Sequence, residues 1–495
     1  VEIYDFDATY QGEAFDFTAF YHVPRYHWKY EGDFFGLVRE ATDMAGQDIW
    51  NAKAPNGVEF AGKGALAGLK VLVGPEVYWG ANPKAILKYR NTLGPIDYTI
   101  MHAEDIARKD EGTGASSATE RQTRQTTLYG KMNLTDTMIL ELGGIMAATE
   151  KVDESYERVS GDDIVLDTID FKDTLGIKAR LSLELLGTRT YLAANLAGLV
   201  ADGGATLEEF GTRLPYSDLG NKREYEAGVM FNYGNLMIFP RFLIRDNLVD
   251  ANPFIPAEID SGGTILFPGV SPRDRDDDPF AVLGNRQAKS AELFVTYDPT
   301  GATPFYAWDN DRREDAGFAF NLGANYTQYP TATDSNQFFF EPAGANASFG
   351  VGLPREDVWR ISTRMVFNPN RSAKVILNLL TGFDQSTGDP TGGTRKFYEA
   401  GAKAILFDRH IISGYFKKDA WGPYDFYRQF NITFPEQYKL DYSILLDQRR
   451  DELLSTKIGI RALYRTADEN SPDDEFLDGM NDYTFQTVMY FTFSF

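Results

Sequence analysis

Basic side chains recur two or four residues apart in segments that otherwise alternate apolar and polar residues. The pairs are Lys88 and Arg90, Lys178 and Arg180, Arg241 and Arg245, Arg360 and Arg364, and Arg461 and Arg465, with Lys403 in a similar segment. In an extended strand, residues separated by an even number share a face. Each pair therefore presents two cations on one side, and Lys131, Lys374, Lys439 and Lys457 fall in the same phase. Acidic residues in that phase are fewer: Glu141, Glu184, Glu224, Glu226, Glu292, Glu399 and Asp441. Rows of Arg and Lys lining a passage favour anions, and the guanidinium fork matches a carboxylate bidentately. The competing expectation is that the charges pair off, Glu184 with Arg180 and Glu399 with Lys403, and merely brace a polar surface.

Other chemistry is thinly represented. The chain has no cysteine and four histidines, so a disulfide, a thiolate site and a multi-histidine metal centre are all unexpected. No GxSxG, HExxH or GxxxxGK[ST] motif occurs. The nearest approach, Gly57–Gly64, ends in Gly64, which offers no hydroxyl. The acidic run Asp274, Asp276, Asp277 and Asp278 carries oxygen ligands suited to Ca²⁺ but lacks the spaced glycine of a calcium loop. It reads as a solvated acidic loop. No catalytic residue, metal or cofactor is expected. A net charge of −23 also argues against a nucleic-acid partner, which rewards a basic face.

The elements that carry these cations are strands. In Tyr483–Phe495, Tyr483, Phe485, Met489, Phe491, Phe493 and Phe495 share a face, opposed by Thr484, Gln486, Thr492 and Ser494. The same alternation runs through Leu175–Leu185, Tyr225–Phe231, Ala291–Tyr297, Tyr424–Phe434 and Ile458–Tyr464. The longest segments exceed the usual five or six residues of a soluble strand and suit the roughly 9–11 residues of a tilted membrane-spanning one. Their apolar faces often begin or end in Tyr or Phe, as interfacial girdles do. No apolar run is long enough for a membrane helix, and the chain as given opens without a basic, then apolar, leader.

Short connections (93–95, 134–135, 187–188, 233–234, 368–371, 408–409 and 435–436) contrast with long ones near 104–122, 151–167, 202–220, 247–286, 329–355 and 468–480. Tight periplasmic turns and long extracellular loops produce this pattern in outer-membrane barrels. The expectation is an all-β transmembrane antiparallel β-barrel of about 18 strands (16–20), in one domain over residues 1–495. Residues 23–64 and 247–286 are candidates for inward-folded or lid segments. Tyr21, Trp28, Tyr30 and Trp79 are read as girdle aromatics in preference to sugar-stacking ones.

The terminal strand, with Phe491, Phe493 and Phe495 spaced by two, resembles the C-terminal assembly signature of Gram-negative outer-membrane proteins. Chain length, single-domain organisation and a charged interior are similar to large porin-like channels, including the alginate-export type. The resemblance implies a bacterial outer-membrane location, membrane lipid and lipopolysaccharide as surroundings, and passage of an acidic polysaccharide. The expected function is therefore a channel for a small hydrophilic solute, anionic and plausibly saccharide. Its pore-lining residues would be Lys88, Arg90, Lys178, Arg180, Arg241, Arg245, Arg360, Arg364, Lys403, Arg461 and Arg465. A scaffold or sheath for a secretion or electron-transfer partner is the alternative, with a barrel enzyme acting on lipid or glycan behind it. A periplasmic partner or a homo-oligomer is compatible with either.

Overall fold

The computed structural model describes residues 6–23, 27–38, 55–78, 81–107, 123–161, 163–201, 220–252, 257–267, 269–270, 273, 278–281, 287–299, 316–330, 357–370, 372–385, 394–420, 435–446, 456–466 and 483–492. In chain order the elements begin with β1 (Phe6–Gln11), β2 (Phe15–Tyr21), a single helical turn α1 (His27–Tyr30), β3 (Asn56–Gly62), β4 (Leu69–Glu76), β5 (Lys84–Leu93) and β6 (Ile96–Asp105). They continue with β7 (Thr123–Thr135), β8 (Met138–Thr149), β9 (Ser155–Ser160), β10 (Asp163–Thr168), β11 (Leu175–Leu185), β12 (Thr188–Ala197), β13 (Lys222–Tyr233), β14 (Leu236–Asp246), β15 (Glu258–Ile259) and β16 (Ile265–Phe267). The rest are β17 (Ala288–Tyr297), β18 (Phe318–Gln328), β19 (Val358–Asn370), β20 (Ala373–Gln385), β21 (Thr394–Leu406), β22 (His410–Ala420), β23 (Glu436–Leu445), β24 (Lys457–Thr466) and β25 (Tyr483–Thr492).

Twenty-one of these strands belong to one sheet; β9–β10 and β15–β16 are separate two-stranded ribbons. The described strands of this sheet outnumber the expected 16–20, and one of them, β3, lies within 23–64, which is expected to fold inward or act as a lid. β2 pairs antiparallel with β3 and β3 with β4, through registers such as Phe17↔Phe60 and Glu59↔Leu72. β3 is short and mixed in composition, so its periodicity is weak.

Contacts divide the chain into two units. The first comprises residues 1–228, 243–288 and 330–335. In it each strand from β1 to β8 pairs antiparallel with the next, and β8 then pairs with β11 and β11 with β12. The second comprises residues 229–242, 289–329 and 336–495, where β17 through β25 pair in sequence in the same way.

The connections at 94–95, 136–137, 186–187, 234–235, 371–372 and 407–409 are tight, and those between them in the chain are longer. Gly94, Gly187 and Gly234 take positive φ in three of these turns, where a Cβ would be strained. β23 pairs directly with β22, through Lys418↔Glu436. Residues 424–434, where a further strand is expected, lie outside the described residues, as do Phe493 and Phe495.

The two faces of the strands are inverted relative to a soluble protein. In the first unit Leu87, Ile100, Leu128, Leu142, Ile177 and Leu192 are exposed, whereas Lys88, Thr127, Lys178, Asn195, Glu224 and Glu226 are buried. In the second unit Leu377, Leu379, Tyr438, Leu440, Ile460, Phe485 and Met489 are exposed, the last at 75 %. Water makes such a surface costly at about 25 cal/mol per Å² of apolar area. A hydrocarbon solvent removes that cost and explains the inversion.

Candidate functional site

On the first unit's polar face Lys70, Lys88 and Lys178 meet the short segment His27–Val38, which is folded by its own residues. The backbone N–H groups of Glu31 and Asp33 both donate to the carbonyl of Trp28, each at 3.1 Å. Asp33 is buried, and its carboxylate accepts the N–H groups of Leu37 and Val38 at 2.9 Å each. Burial pushes the Asp33 carboxyl above its ordinary pKa, against these backbone bonds, which pull it down. Gly32 (φ +94°) lies so close to β6 that a Cβ there would fall 2.2 Å from Thr99 Oγ1. Gly143 on β8 is similarly required, because a Cβ would come within 2.8 Å of the Phe34 and Phe35 rings.

The segment carries its own apolar core. Trp28, Phe35, Leu37 and Val38 pack with Leu72, Ile86, Met101, Ala103 and Ile145. Trp28 is fully buried, and its Nε1 donates to Glu59 Oε2 at 3.0 Å. It is thus neither a girdle nor an entrance residue: a tryptophan with a polar partner is equally suited to a core. Tyr30 from the same turn is exposed, and Tyr21 stacks on His22 at 3.6 Å between ring centroids. Trp79 lies outside the described residues.

Charge holds this segment to the strands. Glu31 bridges two lysines: one carboxylate oxygen meets Lys70 Nζ at 2.6 Å and the other forms a hydrogen-bonded ion pair with Lys88. Burial raises the Glu31 carboxyl, but hydrogen bonds and charge from Lys70 and Lys88 outweigh it and hold it below the ordinary value. Lys88 Nζ also stands 4.4 Å from the centroid of the Trp28 ring. Lys178 Nζ donates to the Phe34 carbonyl at 2.9 Å and lies 4.8 Å from that ring's centroid.

The remaining sequence-selected cations of this unit have diverse surroundings. Arg180 meets Glu141, its cross-strand neighbour, at 3.8 Å, and Glu141 also accepts the Tyr129 hydroxyl at 2.6 Å. The carboxylate found beside Arg180 is therefore on the adjacent strand, and the expected partner Glu184 lies on the same strand as Arg180. Arg245 is buried and Arg90 is exposed. A cation outside the selected set, Lys84, is buried against Asp105 at 3.2 Å and donates to the Tyr78 hydroxyl at 2.8 Å.

The second unit's cations stand differently. Arg241 is buried, 2.7 Å from Glu292, with its guanidinium 4.2 Å from the Phe294 ring centroid. Arg461 Nε donates to Asp441 Oδ2 at 2.7 Å, and the Tyr490 hydroxyl donates to Oδ1 of the same carboxylate at 2.6 Å. Arg465 Nε donates to Thr484 Oγ1, a neutral acceptor, at 3.1 Å. By register Arg360 lies between Asn325 and Gly382, Arg364 between Asn321 and Asn378, and Lys403 between Ile376 and Ser413. Arg360 is exposed, with Arg364 and Lys403 part-buried. Glu399, the expected partner of Lys403, accepts the Tyr415 hydroxyl at 3.2 Å.

Glu31, Asp33 and Phe34 were not legible as site residues. The run Glu31–Val38 has no period, and only its paired glycines and adjacent aromatics hint at a tight packed turn. Segment 247–286, the other candidate lid, is partly described, and those parts pack against the β9–β10 ribbon. Phe280 joins Tyr156, Ile169 and Leu199, and buried Arg273 donates to the Asp250 carbonyl at 2.6 Å. Among the Asp274–Asp278 carboxylates only Asp278 lies within the described residues.

No family model matches the chain, and no curated protein does. Solved structures that resemble it include a porin refined at 1.8 Å (12 % identity, 69 % of this chain and 88 % of that one, TM-score 0.26). A triple mutant of Rhodopseudomonas blastica porin shares 9 % identity over 83 % of this chain and 97 % of its own, with a TM-score of 0.23. The outer membrane channel DcaP of Acinetobacter baumannii matches at 9 % identity over the same shares, with a TM-score of 0.25. Similarity at that level carries no weight in the assignment, which rests on the sheet and its two faces. An antiparallel meander with an apolar exposed face and a charged opposite face is an all-β architecture whose outer surface suits a hydrocarbon surround.

Proposed function

We propose that the protein is an outer-membrane channel for diffusion of hydrophilic solutes, with a preference for anions such as acidic saccharides. The observation that supports this reading is the placement of Arg360, Arg364, Lys403, Arg461 and Arg465 on the polar face of the second unit, opposite the exposed apolar residues of the same strands. A low-dielectric wall focuses the field of such cations on a passing anion. The acid that dominates the composition, including the 271–278 run, belongs to connections and not to these strands.

The test is the reversal potential of the purified protein in planar bilayers under a salt gradient. An anion-selective current that falls when uronate oligomers are added supports the reading. A cation-selective current overturns the anion preference, and a folded, inserted protein that passes no current overturns the channel.

A further inference from the structure

We infer that Lys70 and Lys88 form a binding site for a carboxylate, occupied by Glu31 in the empty protein and available to the carboxylate of an anionic solute. The inference deepens the channel reading and rests on it for the source of the solute, although binding itself does not require current. Glu31 is the internal ligand that shows the site's geometry. Its two oxygens divide between the two ammonium groups, as those of a bound carboxylate would. The two lysines are cross-strand neighbours on β4 and β5, in the register Lys70↔Lys88. Like charges placed directly opposite destabilise a strand pair, and a carboxylate shared between them offsets that repulsion.

The rest of the pocket is built and not incidental. The Lys88 side chain is 2 % exposed and lies over the Trp28 ring, so its ammonium has been withdrawn from water and gains from any anion that reaches it. The Glu31 side chain is 29 % exposed and that of Lys70 20 % exposed. The site is therefore open to solvent from the Glu31 side, where a small solute would enter. Glu31 holds its place as one contact of a short segment, and a free carboxylate competes with it for the same two donors. Apparent affinity is then reduced by the fraction of time that Glu31 leaves the site vacant. Removing the internal carboxylate should expose the intrinsic affinity.

Isothermal titration of the detergent-solubilised protein with sodium glucuronate, and with glucose as neutral control, tests this. Glu31→Gln should bind glucuronate about tenfold or more tightly than the parent chain, and glucose should give no heat in either. Adding Lys70→Met to Glu31→Gln should abolish the gain; Lys70 is chosen because it is less buried than Lys88. Equal glucuronate affinity in the parent chain and Glu31→Gln, or a gain that survives Lys70→Met, overturns the site. If Glu31→Gln does not fold, hydrogen exchange in the parent chain decides. Glucuronate, but not glucose, should raise exchange at Glu31–Val38, and unchanged exchange at saturating glucuronate overturns the proposal. Planar-bilayer current is read separately. Glucuronate binding without current removes the channel and leaves the site, whereas anion current without glucuronate binding removes the site and leaves the channel.

Discussion

The polar faces of the two units carry cations with the same signature in sequence and different company in structure. In the N-terminal unit Lys88 and Lys178 are buried beneath residues 27–38, and Lys84 and Arg180 meet carboxylates on neighbouring strands. Here positive charge holds a segment in place. In the C-terminal unit Arg241 and Arg461 meet Glu292 and Asp441, while Arg360, Arg364, Lys403 and Arg465 face neutral neighbours across the strands. A row of alternate cations therefore specifies a charged face and nothing more. Whether the face braces, clamps or attracts a solute depends on which acids the neighbouring strands and loops bring opposite it.

The strongest way to break this distinction is to remove a bracing cation. Arg241→Met leaves Glu292 buried without its cation, and losing one partner of a buried pair costs about 3–5 kcal/mol. The urea midpoint of the protein refolded into lipid vesicles should fall accordingly; an unchanged midpoint would place Arg241 with the solute-facing group. Next in size is Gly32→Ala, which forces a side chain into positive φ and against Thr99. A local loss of roughly 1–3 kcal/mol is expected, visible as faster hydrogen exchange across residues 28–38 with the strands unaffected.

Replacing Arg360 and Arg364 with glutamine sharpens the comparison from the other side. The anion preference read from the reversal potential should decline. A large stability loss with unchanged selectivity would show that these two also brace. The smallest effect is that of acid on the 27–38 segment. The folded pKa of Glu31 lies below its ordinary value of 4.5. Its ion pairs therefore contribute fully above that value and are lost as the pH falls through the folded one. In hydrogen exchange at Glu31–Val38, corrected for intrinsic rate, the rise that Glu31→Gln removes should appear only below the ordinary Glu31 value of 4.5, the Asp33 carboxyl, held above its own ordinary value, contributing separately and with the opposite sign.

Much of the fold could be read directly from residue order. The apolar faces of Leu175–Leu185 and Ile458–Tyr464 are those the structure exposes, since Leu175, Ile177, Ile458 and Ile460 all lie at the surface. Period two is a local property of extended backbone, so it places Lys88, Lys178, Arg241 and Arg461 on the face opposite the exposed apolar residues of their strands. The failures were equally local in origin. Trp28 looked like an interfacial aromatic and is a core residue held by Glu59. β3 is too short and mixed to show a period, and its residues lie in the 23–64 segment that is expected to fold inward or act as a lid.

By itself, the sequence determined the longer strands, the phase of their faces, most of the tight turns and the solvent the apolar face requires. All of these follow from backbone geometry and side-chain polarity within about ten residues. Tertiary structure alone decided which cation meets which carboxylate. Glu31 reaches Lys70 and Lys88 across 39 and 57 residues of chain, and Arg241 reaches Glu292 across a long connection. Such contacts are set by register between strands and by the folding of a segment without periodicity, and neither is encoded in the spacing of the residues that meet.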